Sequence, residues 1–324
     1  MRAALVIGDG PAGLLAAIAL RRAGWAVQIA PGRRTARAHH GHVHQIAPAT
    51  IAGIEAIAGR RVAGWSLADQ LRIDGHAPSR VVAAPLVDPA ALVRALSRHA
   101  VEAGAGFAEP CMAIPIGGEA FGLLVDASGS SVLASRTPGL HVAIDESDAT
   151  DICWTWRGTA GRSDAPWTIA ARNVGRADGL WMIRTAEGRC TMTVRSPHGG
   201  DEDGTPFHLL DSLMLAAGHD WARRMGGVRL DRNPVRHCAP YARRVEVALS
   251  PGAIPLVRIG DGLIQTAPRF GQGFAQIVEQ IGLLQVVIAA RGTPADAIAS
   301  IETSADRRWL AAMVGVASQP LVAA

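Results

Sequence analysis

The chain has 324 residues, 49% of them hydrophobic, which is enough to bury one large core or two adjoining ones. A net charge of +4 from 32 basic and 28 acidic residues, with the arginines scattered, gives neither the basic stripe nor the aromatic platform of a nucleic-acid surface. Every basic residue is Arg and none is Lys, which excludes any mechanism built on a catalytic lysine.

The run Ala3-Ala4-Leu5-Val6-Ile7 reads as a strand and residues 14–23, rich in Ala and Leu, as a helix. Between them stands Gly8-Asp9-Gly10-Pro11-Ala12-Gly13, a GxGxxG turn in the strand, turn and helix context of a dinucleotide fingerprint. Gly8 permits the tight turn, Gly10 lets backbone approach a pyrophosphate, and Gly13 allows close packing of helix on strand, with the phosphates at the helix N-terminus. Ala17 is the small residue such a helix sets against the sheet, Gly24 stops it, and Val27-Gln28-Ile29 is the second strand. The fingerprint also expects a ribose-binding carboxylate about 20 positions after its glycines. Here the second strand ends in Ala30-Pro31-Gly32-Arg33-Arg34, so the ribose needs another partner, and Arg33 and Arg34 are placed to meet phosphate.

Two further readings bear on compartment. Glycines interrupt the N-terminal apolar run that a secretory leader would need, and the apolar stretch 281–290 is too short to span a bilayer. Cys111, Cys153, Cys190 and Cys238 form no CxxC pair, so free thiols in a reducing cytoplasm are expected.

Residues 33–44 form a loop with His39, His40, His42 and His44, too compact for a zinc site and without a Cys, so a solvated or substrate-facing loop is expected and no metal. Leu92, Val93, Leu96 and Ala100 recur at helical spacing across 89–104, closed by Gly104. Residues 121–126 read as another strand of the nucleotide-binding sheet, ending in Asp126-Ala127-Ser128-Gly129. From about 145 to 243 alternating runs such as 152–156 and 190–194 indicate antiparallel strands, with loops such as 196–205. Trp154, Trp156, Trp167 and Trp181 lie there, as core packing or as the wall of an aromatic pocket. The expected division is a nucleotide-binding domain, 1–144 with 244–324, and a β-rich substrate domain, 145–243.

A second glycine-rich segment follows the apolar strand 254–259: Gly260-Asp261-Gly262, then Pro268-Arg269-Phe270-Gly271-Gln272-Gly273. Gln272-Gly273-Phe274 opens a helix running to about residue 290. Backbone N–H groups point out of such a helix start, and Asp261 can accept from a sugar hydroxyl. This suits a ribityl chain and the electron-rich edge of an isoalloxazine; equally, the glycines can serve a backbone turn alone.

In combination these segments resemble the FAD-dependent monooxygenase family of the aromatic hydroxylase type. Gly8, Gly10, Ala12 and Gly13 match its pyrophosphate turn; residues 123–131, with Asp126, are similar to its middle Asp-Gly segment. Gly260, Asp261, Pro268, Gly271, Gln272, Gly273 and Phe274 match its ribityl and flavin-edge motif. Gly41-His42-Val43-His44-Gln45 also looks like a Gly-x-His-x-His stretch of some bacterial branches. The departures are Pro31 where members carry Glu, Pro89 where many carry Arg, and Ala127 within the middle motif. The resemblance implies an α/β fold, a Rossmann-like FAD-binding domain with an inserted antiparallel β-sheet substrate domain. It implies hydroxylation of an electron-rich aromatic substrate, a small molecule or a peptide side chain, through a flavin C4a-hydroperoxide. Electrons would come from NAD(P)H or a separate reductase. Candidate bases are His42, His44 and His237, with Tyr241 as a relay. Halogenases of the family rely on a lysine that this chain lacks. The rival expectations are a flavin dehydrogenase or reductase acting on a carbon-carbon bond, and a degenerate flavoprotein with a binding or accessory role.

Overall fold

The computed structural model describes residues 2–32, 43–74, 77–115, 120–129, 133–147, 150–160, 165–172, 179–195, 206–240, 242–250, 252–266 and 273–313. In chain order the first elements are β1 (Ala3–Ile7), α1 (Pro11–Arg22), β2 (Ala26–Ala30), β3 (His44–Gln45), α2 (Pro48–Ala58), β4 (Trp65–Asp74) and β5 (Ala77–Val87). Next come α3 (Pro89–Glu102), β6 (Gly106–Phe107), β7 (Leu123–Asp126), β8 (His141–Glu146), β9 (Thr150–Thr159), β10 (Trp167–Arg172), β11 (Gly179–Arg184) and β12 (Arg189–Arg195). The remainder are α4 (Pro206–Ala217), α5 (His219–Met225), β13 (Arg229–Leu230), β14 (Val235–Pro240), β15 (Ala242–Ala248), β16 (Leu256–Arg258), β17 (Ile264–Thr266), α6 (Gly273–Ala289) and α7 (Pro294–Met313).

A five-stranded parallel sheet runs β16-β7-β1-β2-β6. Its central strands are buried on both faces, which is why β1 and β7 read as unbroken apolar runs rather than alternating ones. Helix α1 is buried from Ala12 through Leu20 because sheet, α2, α3 and α6 all pack around it. Ala17 is fully buried in that packing, as its size predicts.

The second sheet has nine strands, in the order β13-β9-β12-β11-β10-β4-β5-β3 with β14 also on β9, and is antiparallel except for the parallel pair β4 and β10. The expected strands over 152–156 and 190–194 pair in it, Met192 opposite Trp156. One face is apolar, with Leu71, Ile169, Leu180, Met182 and Met192 covered by Leu213, Trp221 and Met225 of α4 and α5. Trp167 and Trp156 belong to this core, and Trp167 meets Trp221 edge to face at 6.3 Å. By strict alternation the other face carries Gln70, Arg72, Thr168, Ala170, Trp181, Thr193 and Thr155. This sheet is not confined to 145–243, because β3, β4 and β5 join it from earlier in the chain.

A third, three-stranded antiparallel sheet, β17-β15-β8, lies against α7. There Arg244 of β15 and Arg258 of β16 are both buried, and both pair with Glu302 of α7, at 2.7 and 2.5 Å; Arg244 Nε also donates to Asp306 at 2.8 Å. Two buried guanidiniums thus have their carboxylates supplied by one helix.

Candidate functional site

The C-terminal ends of β1, β2, β7 and β16 lie on one edge of the parallel sheet, and from β1 the chain continues to β2 on one side while β7 lies on the other. Such a reversal leaves a crevice at the strand ends where ligands bind in open α/β sheets. Gly8 forms its wall: φ is +118°, its N–H donates to Ala30 O at 2.8 Å, and a β-carbon there would lie 2.3 Å from Ala127 O. At Gly13 a β-carbon would lie 1.9 Å from Gly8 O, so the helix can approach the strand only without a side chain. At Gly10, the N-cap of α1, it would meet nothing within 4 Å. Helix α1 also has no side-chain cap and no acidic residue in its first turn, so its N–H groups face that open space uncovered. Open space at one glycine, occupied space at the other two and a bare helix start together fit a dinucleotide pyrophosphate.

The second glycine turn meets the first. Gly260, at φ +64°, sits so that a β-carbon would lie 3.4 Å from the Ala12 side chain, and Gly260 to Gly262 form one short 3₁₀ turn with half-buried Asp261 between them. Two residues the sequence reading passed over hold this turn: Gln280 Oε1 accepts from Gly260 N at 2.7 Å, and Gln276 Nε2 donates to Ile264 O at 2.6 Å. Both glutamines are buried on α6. The signal available in the sequence was two amides at an i, i+4 spacing, on one face of a largely apolar helix. At Gly273, where α6 starts, the residue is exposed and a β-carbon would meet nothing within 4 Å.

Asp126 ends β7 between these two turns and is almost wholly buried; its Oδ1 accepts from Ser128 N at 3.0 Å. Burial pushes its carboxyl above the ordinary carboxylate range, against the opposing effects of Ser128 and Arg258. Ala127 explains the departure in the middle motif, since it packs directly against Gly8 and Gly13. Pro31 follows β2, whose last residue Ala30 accepts from Gly8 N, and Pro89 is the first residue of α3, whose N-cap is Asp88.

Among the candidate bases, the structure sets His44 against the start of α6: its ring meets Phe274 edge to face at 5.8 Å. Its neighbour Gln45 accepts through Oε1 from Gln70 Nε2 at 2.9 Å and lies 3.5 Å from Thr168 Oγ1. Gln45 thus lies on the face of the large sheet that bears Gln70 and Thr168, and His44, the adjoining residue of β3, on the other. His237 lies on β14, at the opposite end of the strand order from His44 on β3. Arg33, Arg34, His42, Tyr241, Pro268, Gly271 and Gln272 lie outside the described residues. Cys153 and Cys190 are buried, and burial pushes the Cys190 thiol up to about 11. Among the described residues no group of three potential ligands could hold a metal ion, and no helix is long and apolar enough to cross a membrane.

No family model matches the chain, and no curated protein matches its sequence. Solved structures do match in fold. The flavin-dependent halogenase Xcc4156 from Xanthomonas campestris matches with a TM-score of 0.69 at 14% identity, over 98% of this chain and 76% of its own. The 2-methyl-3-hydroxypyridine-5-carboxylic acid oxygenase MHPCO matches with a TM-score of 0.62 at 18% identity, over 98% of this chain and 92% of its own. The peptidyl tryptophan dihydroxylase QhpG matches with a TM-score of 0.62 at 20% identity over 88% of this chain, which spans 66% of that enzyme's length. The fold is a mixed α/β one shared with flavin-dependent halogenases and oxygenases, the group the sequence motifs resemble.

Proposed function

We propose that the protein is an FAD-dependent oxidoreductase, a monooxygenase that hydroxylates an electron-rich aromatic substrate, free or as a peptide side chain. The observation that carries this reading is the meeting of the two glycine turns, Gly8 to Gly13 and Gly260 to Gly262, at the strand-end crevice. Gly10 and the bare N-terminus of α1, with Ala12 and Gly13, would hold the pyrophosphate, and Asp261 a ribityl hydroxyl. Arg33 and Arg34 would meet the adenosine end in place of the missing carboxylate, and Asp126 closes the crevice from below. Pro268, Gly271, Gln272, Gly273 and Phe274 would seat the isoalloxazine, with the N-terminus of α6 favouring negative charge there. When bound and reduced, FAD supplies the activation of dioxygen. His44 is the base that would take a phenolic proton, and Gln45, held by Gln70, fixes the strand that carries it. NAD(P)H is the proposed source of electrons.

Halogenation is disfavoured by the absence of lysine from a chain that otherwise shares the halogenase fold. The test is a visible spectrum of the purified protein, then turnover under labelled dioxygen. Near-stoichiometric flavin and label in the product are expected. Oxidised product without label would make it a dehydrogenase, and protein that takes up no flavin would leave only an accessory role.

A further inference from the structure

A second cleft lies at the other edge of the parallel sheet. It measures about 410 Å³, within the range that holds a small molecule. Ala3 opens β1, Trp25 precedes β2 and Gly122 precedes β7, so the cleft stands at the N-terminal strand ends, whereas the crevice stands at the C-terminal ones. Strand β1 is five residues long, which separates the cleft from the Gly8 turn by about 17 Å. A ligand held in it touches neither glycine turn.

Arg2 and Arg291 both line the cleft, and among the described residues no carboxylate does. The Arg2 guanidinium lies 5.8 Å from the centre of the buried Trp25 ring, and neither guanidinium has a hydrogen bond or ion pair among the described residues. Asp296, beside Gly292, is already engaged: its Oδ2 accepts from Thr293 N and Oγ1 at 2.7 and 2.8 Å. Arg291 is also the one non-glycine residue at positive φ, +58°, among the described residues. It follows α6 as the left-handed residue of a Schellman stop, with Gly292 N donating to Val287 O at 2.9 Å and Arg291 N to Ile288 O at 3.0 Å. Glycine usually fills that position, because a β-carbon is strained there. The neighbouring Gly292 meets a different need, since a β-carbon on it would lie 2.7 Å from Val287 Cγ1. A cation could meet the end of the α6 dipole without strain from the last helical turn, where no basic residue stands. A role for the Arg291 side chain in the cleft accounts for a backbone that arginine adopts only at a cost.

We propose that this cleft is a binding site, separate from the flavin crevice, for an organic phosphate monoester, with the phosphate between Arg2 and Arg291 and the carbon part against Ala3, Gly122 and Pro294. The two guanidinium charges match the nearly two negative charges of such a phosphate at neutral pH, and the cleft has room for a carbon part beside it. The site does not depend on the monooxygenase reading. Isothermal titration calorimetry of the whole protein, flavin-free and with excess FAD, against 1-naphthyl phosphate, 1-naphthoate and 1-naphthol tests it. Wild type should bind the phosphate about tenfold or more tightly than either analogue, with or without FAD. Arg2→Gln and Arg291→Gly should each weaken it by about tenfold, and Arg291→Gly should melt no lower than wild type, since glycine takes the left-handed position freely. Gly10→Val, a change confined to the crevice, should bind the phosphate as wild type does. No binding of the phosphate, equal binding of naphthoate or naphthol, binding that survives both arginine changes, or its loss in Gly10→Val or with FAD overturns the proposal.

Discussion

Gly10 and Gly13 stand three residues apart in one turn, yet a methyl group would meet open space at the first and the Gly8 carbonyl at 1.9 Å at the second. Gly13→Ala should therefore cost about 1–3 kcal/mol by overpacking and lower the melting temperature of flavin-free protein. Gly10→Ala should leave that temperature unchanged and weaken only FAD binding, read by flavin fluorescence titration; a destabilised Gly10→Ala would mean that the space beside Gly10 is filled. Asp126 gives a second test. Its folded carboxyl titrates above its unfolded value because it is buried, so its favourable share is complete below an unfolded pKa of about 3.9 and is lost as pH rises through the folded value. Asp126→Asn should gain urea stability relative to wild type as pH rises from about 3 to 7, and a constant difference would show that the carboxylate is ionised in place. The glycines were legible in the sequence because each answers a local backbone need. The burial of Asp126 was not, since it arises from β1, β16 and Gly262 arriving from distant parts of the chain.

At the scale of elements, Asp88 joins two of them. Its Oδ1 caps α3 through Ala90 N and Ala91 N at 2.9 and 3.1 Å, and its Oδ2 pairs with Arg189 of β12 at 2.8 Å. Burial works to raise this carboxyl, but Arg189 and the two backbone donors together outweigh it and hold it below the ordinary value. Its stabilising share is present above an unfolded pKa of about 3.9 and is lost as pH falls through the lower folded value. Asp88→Ala should cost about 1–2 kcal/mol at neutral pH, and that cost should shrink in acid; equal loss at every pH would assign the effect to packing. Helices α1, α3 and α6 were readable in advance, α3 because its apolar residues recur at helical spacing, and α1 and α6 because an apolar run follows a glycine-rich turn. The hairpin β4 and β5 was missed for a physical reason. Gln70 and Arg72 interrupt its apolar pattern because they lie on the face turned away from α4 and α5, and β4 finds its parallel partner β10 far along the chain.

For the whole molecule, a ligand that binds only the folded state stabilises it by mass action, about 2.7 kcal/mol at a hundredfold excess over Kd. Added FAD should raise the melting temperature of wild type and leave Gly10→Val where it was; an equal shift in both would place flavin elsewhere. The parallel sheet and its crevice were visible from two glycine motifs. The composition of the large sheet was not, because its strands come from both sides of the expected boundary at residue 145. The cradle itself joins residues 8–13 to residues 260–280, and the arginines of β15 and β16 wait on carboxylates from α7. On the ribosome the first turn emerges long before its counterpart exists, so an emerging chain has half a binding site and no means to keep a cofactor in it. On the proposed reading flavin capture comes after synthesis has passed α6, and until then α1, apolar on nearly every side, needs shelter that the finished protein no longer requires.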